Sequence, residues 1–199
     1  MTRAVKKHFQ TVDPILASVI PRIAPIAVGQ SNDYFSDLIE AIINQQLSDK
    51  AAATIFGRFK TLFPKGKITP EKLLTMQDGH IRAVGTSWSK ISYMKNIAQA
   101  WLDGTITFDT YSTMTDEAII EQLTKVKGVG VWTAEMFLMF TLGREDVFSY
   151  GDLGLRRAIQ KLYKFKREPT IKQMEKIVTK WKPYRTYAAR ILWKSLELS

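Results

Sequence analysis

The chain has 199 residues, no cysteine, two histidines and a formal net charge of +10. Without cysteine there can be no disulfide, thiolate-held zinc, thiolate-held iron-sulfur cluster or cysteine nucleophile. The positive balance favours a polyanionic partner, and 17 Phe or Tyr with five Trp are enough to fill a sizeable core. No apolar run reaches the roughly 18 residues of a membrane span, and MTRAVKKHFQ lacks the apolar core of a signal peptide, so a soluble intracellular protein is expected.

Asp13-Pro14, an N-cap followed by proline at the first helical position, opens the first helix expected in the chain, and Pro21 stops it. Phe35, Leu38, Ile39, Ile42 and Ile43 recur at the spacing of one apolar helix face. That helix ends in Asn44-Gln45-Gln46-Leu47, and Ser48 caps a further helix to about 62. The amides of Gln45 and Gln46 suit contact with base edges, or else only cap the helix end. Thr69-Pro70 opens another helix, a short turn follows near His80, and a longer helix covers about 89–102. Residues 105–113 are β-prone but have nothing to pair with, and read as loop. Thr115 caps the helix leading to Lys127-Gly128-Val129-Gly130, and an apolar helix is expected over 131–142. Beyond Asp152 come a helix to about 163, one from about 170 to 181, and a last one after Pro183. About ten helices and no confident strand make an all-α fold. His8 and His80 have no neighbours resembling a ligand set, which leaves surface or cap roles.

Two features carry chemistry. Glycines at 128 and 130 let a helical hairpin bring bare amides close to another molecule, and the positive end of the second helix suits a phosphate; an ordinary glycine C-cap is the simpler alternative. Positions 156–194 hold thirteen Lys or Arg against Glu168 and Glu175, so 13 − 2 = +11, a footprint for a polyanion or a solvated helix face. Asp152, twenty positions after Trp132, is either a helix N-cap, a catalytic carboxylate, or both; Asp146 is the nearby competitor.

VKGVGVWTAEM (126–136) followed by DVFSYGDLGLRRAI (146–159) resembles the helix-hairpin-helix, loop and aspartate signature of the base-excision DNA glycosylase superfamily, and most of all the 3-methyladenine DNA glycosylase II family. The resemblance extends to DYFSDLIEAIINQQLSDKAA (33–52), GTSWSKISYMKNIAQA (85–100) and WKPYRTYAARILW (181–193).

It implies a two-lobed helical fold, with one lobe over 30–143 ending in the hairpin. The second lobe would combine 1–29 with 144–199, with double-stranded DNA across the cleft between them. It implies that Asp152 stabilises the cationic sugar or handles water, that Trp132, Trp193 and Tyr150 line the pocket for the extruded base, and that Gln46 or Leu47 fills the gap it leaves. Lys127, Gly128, Val129, Gly130 and Thr133 would bind phosphate, with a sodium or potassium ion at the carbonyls of Thr124, Val126 and Val129. Trp132 stands where bifunctional relatives carry a Schiff-base lysine, which implies a monofunctional enzyme that removes alkylated purines and leaves an abasic site. No catalytic metal and no other cofactor is implied, and the enzyme would act as a monomer, in the nucleoid region of a prokaryote or the nucleus of a eukaryote. Lys127 replaces a common proline, and Ser149-Tyr150-Gly151 replaces a proline-containing loop that often bears a second acid. A glycosylase for another damaged base, and a non-catalytic hairpin module that only binds DNA, are the competing expectations.

Overall fold

The computed structural model describes residues 1–198. Among them there is no β-strand, and they form a succession of twelve α-helices with short 3-10 turns. Among the described residues no helix is long and apolar enough to cross a membrane. The helices are α1 (Arg3–Val12), α2 (Pro14–Ala17), α3 (Tyr34–Asn44), α4 (Asp49–Lys60), α5 (Pro70–Thr75) and α6 (Asp78–Ala83). They continue with α7 (Trp88–Leu102), α8 (Asp116–Thr124), α9 (Val131–Met136), α10 (Leu153–Leu162), α11 (Ile171–Val178) and α12 (Arg185–Ser195). Residues 31–137 form one compact unit; residues 1–30 with 138–199 form the other.

In the 31–137 unit, the caps expected at Ser48, Thr69 and Thr115 do their work, and Asp33 adds one not expected from the sequence. Asp33, Ser48, Thr69 and Thr115 each accept a backbone N–H from the first turn of the helix they open. The apolar face of α3 is fully inside: Phe35, Leu38, Ile39, Ile42 and Ile43 are at most 3% exposed. It packs on α7, whose Ile91, Met94, Ile97 and Ala98 are buried and which also rests on α5 and α6. Residues 105–113 form turns, not a strand, because their apolar side chains serve as a plug. Phe108 lies 4.2 Å from the Trp101 ring, 5.5 Å from Tyr34 and 5.5 Å from Phe137, with Ile106 and Tyr111 buried beside it.

In the other unit the chain begins a helix earlier than Asp13-Pro14. Val5 and Phe9, four positions apart, turn one stripe of α1 inward, and the helix opened by Pro14 is only four residues long. His8 is only part-exposed. Its ring makes edge contacts with Phe9 (5.6 Å) and Tyr184 (5.2 Å), and its Nε2 is buried without a hydrogen bond. Asp13 joins α1, α10 and the end of α11: its carboxylate accepts from the Leu16 amide (3.0 Å), the Tyr163 hydroxyl (2.6 Å) and the Trp181 indole N–H (2.8 Å).

The helix expected over 131–142 is not regular. The α-helical part stops at Met136, and 137–141 form a π-helical turn. One residue too many per turn rotates the following side chains out of register, a device common next to functional sites.

Candidate active site

The hairpin is built by contacts that only glycine permits at position 128. Gly128 has φ of +105°, and a Cβ there would lie 2.2 Å from Cγ of Tyr93 on α7. Asn96, one turn further along α7, donates to the Lys127 carbonyl at 3.1 Å. The Val129 amide closes the turn on Val126 O at 3.0 Å, and Gly130 opens α9 with no side-chain cap. Lys127 and Gly130 are exposed, whereas Val129 is buried. Thr133 departs from the phosphate-facing role expected for it: it is 1% exposed, and its hydroxyl accepts the Gln45 amide at 3.0 Å. The same Gln45 Nε2 donates to Gly128 O at 3.1 Å. Gln45 therefore spends its amide inside the protein. Next to it Gln46 is exposed with φ of +58°, and Leu47 is 38% exposed.

Asp152 opens α10 and is its N-cap, so the structural reading of this residue holds. Its Oδ1 accepts the Leu155 amide at 2.7 Å and also the Trp193 indole N–H at 3.0 Å, which fixes the plane of the carboxylate. Gly154 makes room for this: a Cβ there would sit 3.1 Å from Asp152 Oδ1 and 3.2 Å from the Trp193 ring. Trp193 stacks on Phe140 at 5.9 Å with 29° between the rings. Arg190 lies over Phe140 at 5.1 Å and donates to Ala27 O. A carboxylate oriented by two N–H donors at the edge of an aromatic shelf is suited to stabilising positive charge.

Residues 39–183 match the model of the HhH-GPD superfamily of base excision DNA repair proteins. The chain belongs to this superfamily. It is 37% identical over 186 residues to DNA-3-methyladenine glycosylase 1 of Schizosaccharomyces pombe, covering 92% of this chain and 82% of that one. Among solved structures, it is similar to the S. pombe 3-methyladenine DNA glycosylase Mag1 in complex with abasic DNA, with a TM-score of 0.90 and 34% identity over 98% of both chains. A Bacillus halodurans DNA-3-methyladenine glycosidase matches at a TM-score of 0.80 and 35% identity, over 98% of this chain and 89% of that one.

Within this superfamily member the loop before Asp152 lacks proline, yet it is held firmly. Arg185 donates from Nε to Asp146 Oδ1 (2.7 Å) and from Nη2 to Asp146 Oδ2 (3.1 Å) and the Asp146 carbonyl (2.7 Å). The Thr186 hydroxyl donates to Arg144 O (2.6 Å) and accepts the Val147 amide (3.0 Å), while the Thr186 amide reaches Glu145 O (2.9 Å). Asp146 is thus the acceptor of a clamp between the loop and α12. That removes it as a competitor for the catalytic role, because both of its oxygens are engaged by one guanidinium. Tyr150 lies at the same clamp, edge-on to Phe148 at 5.0 Å. Burial raises its hydroxyl pKa, and the nearby Arg185 partly offsets this.

Replacing Arg185 with Met, which keeps the stem and removes the donors, should loosen the loop. The expected result is a fall in kcat of roughly 10- to 100-fold, as for a reacting group displaced by about an ångström, with DNA affinity changed little. A single-turnover rate together with a fluorescence-anisotropy titration checks both halves.

Phe140 was missed in the sequence because it sits in the apolar run FLMFTL, where helical spacing makes every aromatic look like core. The π turn places it 46% exposed. Part of the basic cluster between 156 and 194 is engaged within the protein: Arg156 pairs with Glu168, Arg185 with Asp146, and Arg190 donates to Ala27 O, whereas Arg157, Lys161, Lys172 and Lys176 are exposed.

Proposed function

We infer that the chain is a monofunctional DNA glycosylase that extrudes alkylated purines such as 3-methyladenine from duplex DNA and hydrolyses their N-glycosidic bond, leaving an abasic site for base excision repair. The observation that carries this reading is Asp152, a carboxylate fixed on one oxygen by the Leu155 and Trp193 N–H groups, in a chain similar along most of its length to proteins named DNA-3-methyladenine glycosylase.

In the proposed reaction the bond between C1′ and the base nitrogen breaks, and its electron pair leaves with the base. Because alkylation makes the base cationic, the departing base is neutral and needs little acid help. The sugar becomes oxocarbenium-like, and the ionised Asp152 stabilises it. Water adds to C1′ and its proton is lost, so the product is an abasic sugar. The resemblance gives Trp193 and Tyr150, and separately Trp132, the role of aromatic partners for the extruded base; a cationic ring over such a face gains about 0.5–2 kcal/mol. Gln46, with Leu47 beside it, fills the gap in the stack. Lys127 with the backbone of Gly128, Val129 and Gly130 takes phosphate. The hairpin carbonyls are hard oxygen donors of the kind an alkali cation uses, and Val126 O keeps a second lone pair after accepting the Val129 amide. A sodium or potassium ion held by Thr124, Val126 and Val129 would add positive charge beside that phosphate.

Trp132 in place of a lysine supports hydrolysis without strand cutting. The test is a duplex containing one 7-methylguanine, incubated with protein and resolved before and after alkali, with a parallel borohydride-trapping arm. Breaks that appear only after alkali, and no trapped covalent complex, are expected. A trapped complex would overturn the monofunctional reading.

A further inference from the structure

Gln46 has a positive φ of 58°, a backbone region that L-residues rarely adopt unless neighbours impose it. Two residues supply that constraint. Lys90, in the first turn of α7, donates from Nζ to Ile43 O at 2.8 Å and to Gln45 O at 2.7 Å, placing a cation on the last carbonyls of α3, where the helix dipole is negative. Gln45, immediately before Gln46, carries its amide to Gly128 O and Thr133 Oγ1 in the hairpin. The hairpin is in turn seated on α7 by Tyr93 and Asn96. Lys90, Tyr93 and Asn96 recur every three positions along α7, so one stretch of one helix holds both the α3–α4 junction and the hairpin.

We propose that Lys90 and Gln45 are positioning residues for base extrusion. Lys90 locks the junction in the conformation that presents Gln46, and Gln45 ties it to the phosphate-binding hairpin, so that wedge and anchor engage DNA as one preorganised block. This rests on the assignment of Gln46 as the residue that fills the gap. A block of this kind lets the affinity of the hairpin for the backbone drive insertion of the side chain, because no separate ordering of the junction is then needed.

The test needs no glycosylase chemistry. A duplex carries a tetrahydrofuran abasic analogue with 2-aminopurine beside it, and insertion of Gln46 unstacks the 2-aminopurine and raises its fluorescence. Wild-type protein is expected to give this rise in stopped flow. Lys90→Met and Gln45→Ala should bind the same duplex with anisotropy-measured affinity within a few-fold of wild type, yet insert roughly tenfold more slowly or with most of the amplitude lost. Lys90→Arg, which keeps a donor in reach of both carbonyls, should recover most of the signal. Gln46→Ala is the control and should lose it. Full-rate insertion by Lys90→Met and Gln45→Ala, with the signal lost in Gln46→Ala, would overturn the proposal. An undiminished signal from Gln46→Ala would remove the wedge assignment and the proposal with it. Because the readout precedes bond cleavage, a protein that inserts normally but releases no base would contradict the glycosylase reading alone.

Discussion

Asp152→Asn should lower kcat for release of an alkylated purine by roughly 100- to 1000-fold, the scale seen when one preorganised electrostatic group is removed from an active site. The substitution is discriminating because it changes charge and little else. Asparagine is as good an N-cap as aspartate, and its Oδ1 can still accept the Leu155 amide and the Trp193 indole N–H, now at 2.7 and 3.0 Å. Stability should therefore change by about 1 kcal/mol or less, and affinity for damaged duplex should hold or rise, since a repulsive carboxylate near the phosphates is gone. Single-turnover kinetics with thermal unfolding on the same preparations checks this. Activity close to wild type would show that Asp152 is only a helix cap, and would favour a protein that binds DNA without reacting with it.

The largest effect on stability is expected at Asp13. Asp13 is 6% exposed and its carboxylate accepts three hydrogen bonds, from the Leu16 amide, the Tyr163 hydroxyl and the Trp181 indole N–H; Trp181 itself is fully buried. Burial, with the hydrogen bond to Asp13, pushes the Tyr163 hydroxyl far above the ordinary tyrosine range, so it stays a donor at every working pH. Asp13→Ala removes the cap of α2 and strands two buried donors. The expected cost is roughly 3–5 kcal/mol, smaller than the sum of three charge-assisted bonds because burial of the carboxylate is no longer charged against folding. Urea unfolding should show it as a lower midpoint. At a temperature where the variant stays folded, kcat should be within about twofold of wild type, because additivity holds between separate sites. A loss under about 1 kcal/mol would mean that water replaces the carboxylate and that the network contributes little.

Much of this was legible in the sequence where local rules and tertiary structure agree. The apolar spacing of α3, the caps at Ser48, Thr69 and Thr115, and the cap geometry of Asp152 all follow from side-chain chemistry within one helical turn. What escaped depends on contacts between distant positions. Asp146 and Arg185 are 39 residues apart, so nothing in the loop itself shows that its carboxylate is already taken. Gln45 reaches the hairpin across 83 residues. Phe140 is displayed by a π turn, which no apolar periodicity marks. Residues 105–113 keep their β-prone composition for a different reason, since bulky side chains are also what fills a gap between helices.

The most direct test of the central claim is chromatography of the bases set free when wild-type protein is incubated with duplex DNA treated with dimethyl sulfate. The account predicts release of methylated purines, 3-methyladenine among them, with the DNA strand intact until alkali is added. Release of no methylated base by a folded protein that still binds the duplex would contradict it.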